Sequence, residues 1–381
     1  MNKDTPLLFI PGPVNVDESI LLENAVPIIN HRSEEFHKLF EDVKDLLKKV
    51  LNTKNEILIF TASGTGAVEA LASNFAPRRR VLVINVGEFG TRLAEAFRVH
   101  GAQVEEISAE LGSAPDLDTL RQHLDDLAPD ILAFVYNDTS PGIRLSYIRE
   151  LCMEARARDV LTLVDAVSAA GGDELDIDSW QIDALAGASQ KCLGAPPGLS
   201  FLTLSDRAIE ALVEKPSTVY FNVRRYLKYA EKSETPFTPA VTLFHSLRRA
   251  LATIYEIGVD KWISMHLTRA QVLYKAFEDL SLKPFVKEPY RSRTVLAFRL
   301  PEAINVKDFR KNLKKKYGIE VAGGMGTLAE SIIRVGVMGS IPLRDLITLV
   351  STVGLELREW GLKVDLEKAL EDVSALGRNV C

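Results

Sequence analysis

The sequence contains very little cysteine. Only Cys152, Cys192 and Cys381 occur among its 381 residues. Three cysteines so widely spaced are too few for a disulfide framework, a zinc cluster or an iron–sulfur site. Their small number is typical of the reducing cytoplasm, and we expect that location. We expect Cys192 to be a small core residue, as is usual for a free cysteine.

The chain also lacks long apolar runs and a strong excess of one charge. No stretch reaches the roughly 20 apolar residues of a membrane helix. The first residues also do not show the basic segment followed by a long apolar segment that is typical of a secretory signal. We therefore expect a chain that is neither exported nor bound to a membrane. The net charge is -6, from 46 basic and 52 acidic residues. The short basic run Arg78-Arg79-Arg80 is typical of a solvated loop, so we expect no nucleic-acid partner.

Apolar residues make up 46% of the chain and follow regular patterns. In the first two thirds, short runs rich in β-branched residues indicate buried strands, and stretches with helical spacing separate them. The predicted strands cover 56–60, 81–84, 131–135 and 160–164, and the predicted helices cover 66–76, 90–100, 116–127 and 144–158. This alternation predicts an α/β fold with a mainly parallel sheet.

The pattern changes after Gly258. Pro11-Gly12-Pro13 near the start indicates an extended arm rather than a folded unit. We predict an arm at 1–14, a large domain at 15–258 and a smaller α+β domain at 259–381. The expected elements of the smaller domain are a helix near 259–280, a strand at 294–298, a helix near 305–316, two short strands, and helices at 343–359 and 365–377.

Asp165 ends an apolar run, and Lys191 follows it 26 residues later. The lysine stands between a small, apolar stretch at 182–188 and the rigid Gly-Ala-Pro-Pro-Gly at 194–198. Such an enclosure disfavours the ammonium form and leaves the free amine that attacks a carbonyl carbon. The pair therefore indicates an enzyme built around pyridoxal 5'-phosphate (PLP).

Ser63-Gly64-Thr65-Gly66 joins a predicted strand to a predicted helix. Backbone N–H groups at a helix N-terminus favour a phosphate, although an ordinary strand-to-helix turn has the same appearance. Asp138, Asp165 and Lys191 also fall at carboxyl ends of strands, where parallel sheets bind ligands. This convergence favours the phosphate-binding interpretation.

Three further residues have a structural and a functional interpretation. Phe89 is either a core residue or the cover of an aromatic ring. Thr139 lies in a loop that ends in Pro-Gly, and is either a turn residue or a hydroxyl ligand. Arg334 lies in a strand pattern, where it either faces water from an edge or requires a partner.

Taken together, the motifs resemble the class V, fold-type I PLP-dependent aminotransferases of the alanine–glyoxylate/serine–pyruvate group. The resemblance extends from Pro11 to Arg334. Its matching segments are Pro11-Gly12-Pro13-Val14-Asn15, Thr61 to Glu69, Asp165, Ser189-Gln190-Lys191 and Ala195-Pro196-Pro197-Gly198.

The resemblance implies a role for each candidate residue. Lys191 would hold PLP as a Schiff base, Asp165 would pair with the pyridine nitrogen, and Phe89 would cover the ring. The other implied contacts are Ser63, Gly64, Thr65 and Gln190 at the phosphate, Thr139 near the ring oxygen, and Arg334 at the substrate α-carboxylate. The alternative for Gln190 is a solvated neighbour of the lysine.

Residues 235–239, Thr-Pro-Phe-Thr-Pro, resemble a segment that reaches the phosphate of a neighbouring subunit. The resemblance implies a homodimer with composite active sites. Many relatives carry a tyrosine in this segment, whereas this chain has Thr235 and Phe237. The cross-subunit hydrogen bond is therefore either missing or made by Thr238.

The resemblance also implies transfer of an amino group from alanine or serine to glyoxylate or pyruvate, with ping-pong kinetics. A dicarboxylate donor would require a second arginine, and Arg32, Arg224 and Arg225 are candidates. Other class V activities stay open, namely an aspartate or 2-aminoethylphosphonate aminotransferase or a lyase, as does a non-catalytic accessory subunit. Phe89 and the absence of cysteine between Cys192 and Cys381 argue against a cysteine desulfurase.

Overall fold

The computed structural model describes residues 6–379. Strands and helices alternate through the first two thirds of the chain, as predicted. The strands are β1 (Leu7–Phe9), β2 (Glu56–Phe60), β3 (Arg80–Ile84), β4 (Gln103–Ile107), β5 (Ile131–Val135), β6 (Asn137–Asp138), β7 (Ile143–Arg144), β8 (Leu161–Asp165), β9 (Ala184–Ala188), β10 (Ser200–Leu204), β11 (Lys283–Pro284), β12 (Val295–Arg299), β13 (Ile319–Gly323) and β14 (Ile332–Gly336). The helices are α1 (Glu18–Leu22), α2 (Glu34–Val50), α3 (Gly64–Phe75), α4 (Glu88–Val99), α5 (Leu117–Leu127), α6 (Ile148–Ala157), α7 (Asp206–Glu210), α8 (Val223–Ala230), α9 (Val241–Ile257), α10 (Val259–Asp279), α11 (Val306–Tyr317), α12 (Leu343–Glu359), α13 (Leu366–Ser374) and α14 (Leu376–Asn379).

A seven-stranded sheet forms the centre of the first two thirds, in the order β2-β10-β9-β8-β5-β3-β4. All strands are parallel except β10, which is antiparallel to both β2 and β9. Strands β5, β8 and β9 are buried along their whole length, in agreement with their mainly apolar sequences. The predicted α/β class with a mainly parallel sheet is confirmed. Strands β2, β5, β8 and β9 all end at the same edge of this sheet.

A second sheet, in the order β1-β13-β14-β12-β11, lies in the C-terminal part of the chain. Its edge strand β1 comes from the predicted arm and pairs in parallel with β13. The arm is extended, but Leu7–Phe9 is part of the C-terminal sheet. The sequence did not indicate this strand, because three apolar residues carry no periodicity and their partner lies far along the chain.

Helix α10 connects two hydrophobic cores. Gly258, with a φ of 95°, separates it from α9. Trp262, in its first turns, packs in the core around the seven-stranded sheet, whereas its residues from Ala270 onward pack in the core of the C-terminal sheet. The helix has 21 residues. In residues 6–379 no helix, α10 included, combines the length and the apolar character that a bilayer-spanning helix requires.

Candidate active site

The turn before α3 has the features of a phosphate-binding site. Ser63 is the N-cap of this helix, and its side chain makes no capping hydrogen bond. The first N–H groups of a helix have no intrahelical acceptor and carry a partial positive charge. A Cβ atom on Gly64 would lie 2.7 Å from Cγ1 of Val167, so only glycine fits at this position. Ser63 and Thr65 are exposed beside it, which leaves the turn open to a ligand.

Lys191 follows β9 and lies half-buried at the cavity that the sheet edge forms. Its Nζ donates a hydrogen bond to the carbonyl oxygen of Pro11. Burial lowers the pKa of Lys191 to about 8, and the positive charge of Arg334 acts in the same direction, while Asp165 opposes both. About a tenth of this lysine is therefore the neutral, nucleophilic amine at pH 7, far more than for a lysine with the ordinary pKa.

Asp165 is the last residue of β8, and only 6% of it is exposed. Its Oδ1 accepts a hydrogen bond from the backbone N–H of Val167 at 2.9 Å. Burial raises the pKa of Asp165 to about 6, and the nearby Asp138 contributes in the same sense. A nearby cation stabilises the ionised form of a buried carboxylate, and a protonated pyridine nitrogen is such a cation.

Phe89 lies in the first turn of α4, and its position depends on Asp138. Oδ2 of Asp138 accepts hydrogen bonds from the backbone N–H groups of Phe89 and Gly90, both at 3.0 Å. The hydroxyl of Ser140 accepts a third, from Glu88 N at 2.8 Å. Asp138 is fully buried, and burial raises its pKa. This buried carboxylate thus caps α4 from another segment and fixes the aromatic residue at the cavity wall.

The structure brings eight of the predicted residues to one cavity of about 180 Å³. They are Ser63, Gly64, Thr65, Phe89, Thr139, Asp165, Gln190 and Lys191. Sequence reasoning missed Arg92, Asn137 and Ser168, which also line it. Nδ2 of Asn137 donates to the hydroxyls of Ser168 and Thr294, and its buried Oδ1 has no hydrogen-bond partner among residues 6–379. The phosphate turn, the polar wall and the lysine fit a phosphorylated aromatic aldehyde such as PLP.

Arg334 lies outside the lining of this cavity but adjoins it. It is in the middle of β14, an interior strand between β12 and β13, and is 7% exposed. The alternative of an edge-strand arginine facing water is therefore wrong. Nε donates to the carbonyl oxygen of Gly323 at 2.6 Å, and Nη1 donates to that of Thr139 at 2.9 Å. Burial lowers the pKa of Arg334 to about 10, so the guanidinium remains a cation at neutral pH.

The segment around Thr238 does not reach the cavity of its own chain. Thr238 is exposed, whereas Thr235 is buried and its hydroxyl donates to the carbonyl oxygen of Phe237 at 2.7 Å. Arg32 anchors this segment through Glu234 at 2.6 Å and the carbonyl oxygen of Thr235 at 2.8 Å. Of the two threonines, only Thr238 is exposed at the surface, where a second molecule can reach it.

The structure agrees with the prediction that Cys192 is a small core residue. The side chain is fully buried, and its Sγ lies 3.3 Å from the carbonyl oxygen of Ser168. Burial raises the pKa of the thiol to about 12, so the reactive thiolate is negligible at neutral pH. Cys152 is also buried and free, and Cys381 lies outside the described residues.

Comparison with known proteins agrees with this geometry. The family model for class V aminotransferases matches residues 20–341. An uncharacterised aminotransferase of Methanocaldococcus jannaschii is 36% identical over 364 residues, which is 94% of each chain. A protein of Synechococcus sp. named the small subunit of a soluble hydrogenase is 33% identical over 367 residues, again 94% of each chain.

The solved structures include a close match to the whole fold. The crystal structure of an alanine–glyoxylate aminotransferase from Nostoc sp. is 32% identical, with a TM-score of 0.89. The alignment covers 94% of this chain and 97% of that one. Since the family model spans most of the sequence and the fold agrees, this chain belongs to the class V aminotransferases, and its cofactor is PLP.

Proposed function

We propose that this enzyme transfers the amino group of alanine or serine to glyoxylate or pyruvate. The observation that carries the proposal is that Lys191 and Asp165 line one cavity and that Arg334 adjoins it through the carbonyl oxygen of Thr139. Nε and Nη1 of Arg334 donate to backbone carbonyl oxygens, whereas its Nη2 makes no hydrogen bond within residues 6–379 and is available to a carboxylate. The other candidate arginines are engaged elsewhere. Arg32 binds Glu234, Arg224 donates to the carbonyl oxygen of Leu212 at 2.7 Å, and Arg225 stacks on Phe237. A donor with a single carboxylate suits this arrangement.

The residues divide the chemistry among themselves. When bound, PLP supplies an electron sink for the carbanion that forms at the substrate α-carbon. The guanidinium of Arg334 binds the α-carboxylate, and Asp165 holds a proton at the pyridine nitrogen. Nζ of Lys191 takes the proton from the α-carbon, for which a pKa of about 8 is suitable. We infer ping-pong kinetics, because both half-reactions use the same lysine and the same arginine.

We also propose that the active form is a homodimer whose sites are composite. The exposed hydroxyl of Thr238, on a segment that Arg32 and Glu234 anchor, supports a contact with the phosphate site of a second copy. The buried hydroxyl of Thr235 already has an acceptor within its own chain. We assign the cross-subunit hydrogen bond to Thr238. The two buried, free cysteines support a reducing compartment such as the cytoplasm.

A titration of the PLP-loaded protein with amino donors tests the proposed substrate. We expect alanine and serine to convert the visible absorbance of the lysine-bound cofactor to that of the amine form at lower concentrations than aspartate or 2-aminoethylphosphonate do. A preference for aspartate would contradict the proposal and assign the second carboxylate to Arg92, whose guanidinium carbon lies 5.1 Å from the centroid of the Phe89 ring. No spectral change with any donor would favour an accessory subunit like the hydrogenase subunit of Synechococcus.

The pKa of Lys191 predicts the pH dependence of cofactor attachment. Because the neutral amine attacks the aldehyde, the rate should rise as pH increases through about 8, rather than through the ordinary lysine value of 10.5. The measurement is the rate at which the visible absorbance appears after PLP is added to the cofactor-free protein, from pH 6 to pH 11. A midpoint above pH 10 would show that the amine is not desolvated.

Two alternative functions, a cysteine desulfurase and a non-catalytic accessory subunit, fit the site less well. A cysteine desulfurase requires a reactive thiol, but burial makes Cys192 unreactive, and a sulfide assay with cysteine as substrate checks this. An accessory subunit has no use for a lysine of lowered pKa beside a buried aspartate and a buried arginine.

A further inference from the structure

Residues 7–15, which we call the strap, connect the C-terminal sheet to the catalytic lysine. The strap begins with β1, where Leu7 pairs with Ile319 and Phe9 with Val321. A Cβ atom on Gly336, at the end of β14, would overlap the carbonyl oxygen of Ile10. The strap therefore lies tightly against two strands of the C-terminal sheet before it enters the active site.

Asn15 closes the strap into a loop. Its Nδ2 donates to the carbonyl oxygen of Leu8 at 2.9 Å, and its Oδ1 accepts from the backbone N–H of Leu8 at 3.2 Å. One side chain thus satisfies both backbone groups of a residue seven positions earlier. These two hydrogen bonds hold the loop ends together and leave Pro11-Gly12-Pro13 at the tip.

The tip of the strap lies directly on Lys191. The carbonyl oxygen of Pro11 accepts a hydrogen bond from Nζ of Lys191. A Cβ atom on Gly12 would lie 2.7 Å from the same Nζ and 2.8 Å from Cδ. Gly12 also has a φ of 113°, which residues other than glycine rarely adopt. Only glycine allows the backbone to approach the lysine so closely.

The end of the strap is attached to the lysine loop as well. The backbone N–H of Val14 donates to the carbonyl oxygen of Gln190 at 3.3 Å. The Val14 side chain packs in a small apolar cluster with Cys192, Val295 and Met338. Cys192 thus serves as a packing surface for the strap, immediately beside the catalytic lysine.

We propose that Asn15 is a positioning residue for Lys191. By closing the strap, it fixes the Pro11 carbonyl as the acceptor that holds the lysine amine at the cavity whenever that amine is not bonded to the cofactor. An acceptor at Nζ favours the ammonium form, which opposes the effect of burial on the lysine. A long lysine side chain has many rotamers, so a fixed acceptor restricts the positions that the amine occupies at the cavity. The inference rests on the assignment of Lys191 as the cofactor lysine under the proposed function.

The test measures the reactivity of Lys191 itself in the full-length protein freed of PLP. The Asn15→Ala variant and the parent are treated with an amine-acylating reagent across a range of pH, and mass spectrometry of the peptides gives the rate at each lysine. We expect Asn15→Ala to increase the labelling rate of Lys191 by about 2- to 10-fold, the change in equilibrium that corresponds to the loss of one hydrogen bond. The pH of half-maximal labelling should also fall.

Asn305→Ala is the matched control. Asn305 caps α11, where its side chain accepts from the backbone N–H of Asp308 at 3.0 Å, and within residues 6–379 it makes no side-chain hydrogen bond to the strap. This variant loses a comparable side-chain hydrogen bond, so it should leave the labelling of Lys191 as in the parent. Equal increases in both variants would overturn the proposal, because general loosening would then explain them.

A second variant, Asn15→Asp, allows the test to be made even if Asn15→Ala does not fold. Asn15→Asp keeps an acceptor for the N–H of Leu8 but loses the hydrogen bond donated to its carbonyl oxygen, so we expect a smaller increase of the same sign. Unchanged labelling of Lys191 in the folded Asn15 variants would also overturn the proposal. The experiment involves neither PLP nor an amino donor, so its outcome is separate from that of the donor titration.

Discussion

Replacing Lys191 with alanine is expected to abolish transamination while the protein still binds PLP. The phosphate turn at Ser63 and Gly64, the carboxylate of Asp165 and the ring of Phe89 remain in place, and they line the same cavity as the lysine. The variant loses both the covalent attachment point and the base at the substrate α-carbon. A positioned acid–base group contributes up to about 10⁴-fold, so we expect at least a loss of that size.

Two measurements check this result together. Absorbance spectroscopy should show bound PLP without the band of the lysine-bound form, and coupled assays with alanine and pyruvate should show no turnover above background. Lys228→Ala is the control, because this lysine is exposed on α8 and should leave both properties unchanged. Normal turnover by Lys191→Ala would refute the proposed mechanism.

Replacing Arg334 with methionine should have the second largest effect. Methionine retains an unbranched chain of similar length but removes the cation that we assign to the substrate carboxylate. A hydrogen bond to a charged group contributes about 1.5–3 kcal/mol, and a planar guanidinium makes two of them with a carboxylate. The expected loss in kcat/KM is therefore about 10²- to 10⁴-fold for both the amino donor and the 2-oxo acid.

Arg334 also has a structural role, because it holds the carbonyl oxygens of Gly323 and Thr139. Binding of acetate to the resting PLP-loaded enzyme separates the two roles, since acetate presents little more than a carboxylate. Its affinity should fall in Arg334→Met and stay unchanged in Arg299→Met, a variant of an exposed arginine at the end of β12. Retained acetate binding in Arg334→Met would assign the α-carboxylate to another residue.

The sequence predicts the centre of the site because local patterns determine it. Alternating strands and helices imply a parallel sheet, and a parallel sheet brings the residues after β2, β8 and β9 to one edge. The convergence of Ser63, Asp165 and Lys191 on one edge is therefore predictable from the pattern, whereas their roles follow from the family resemblance, and the structure places all three at one cavity.

The features that the sequence does not predict depend on contacts between distant segments. Helix α4 begins at Glu88 rather than at the predicted residue 90, since the cap of its first turn is Asp138, about 50 positions later. The orphaned acceptor of Asn137 arises only after Ser168 and Thr294 come together around its amide. No window of neighbouring residues contains this information.

The pairing of β1 with β13 limits how early during synthesis the strap can reach its final position. Leu7 and Ile319 are 312 positions apart (7 to 319), so the start of the chain waits for its partner until most of the protein has been synthesised. At roughly 5–20 residues per second, this wait lasts about 15–60 s. During this interval Lys191 has been synthesised but lacks the acceptor that the strap provides. The nascent chain thus contains every strand of the seven-stranded sheet, the last of which ends at Leu204, before the strap beside Lys191 can pair with β13.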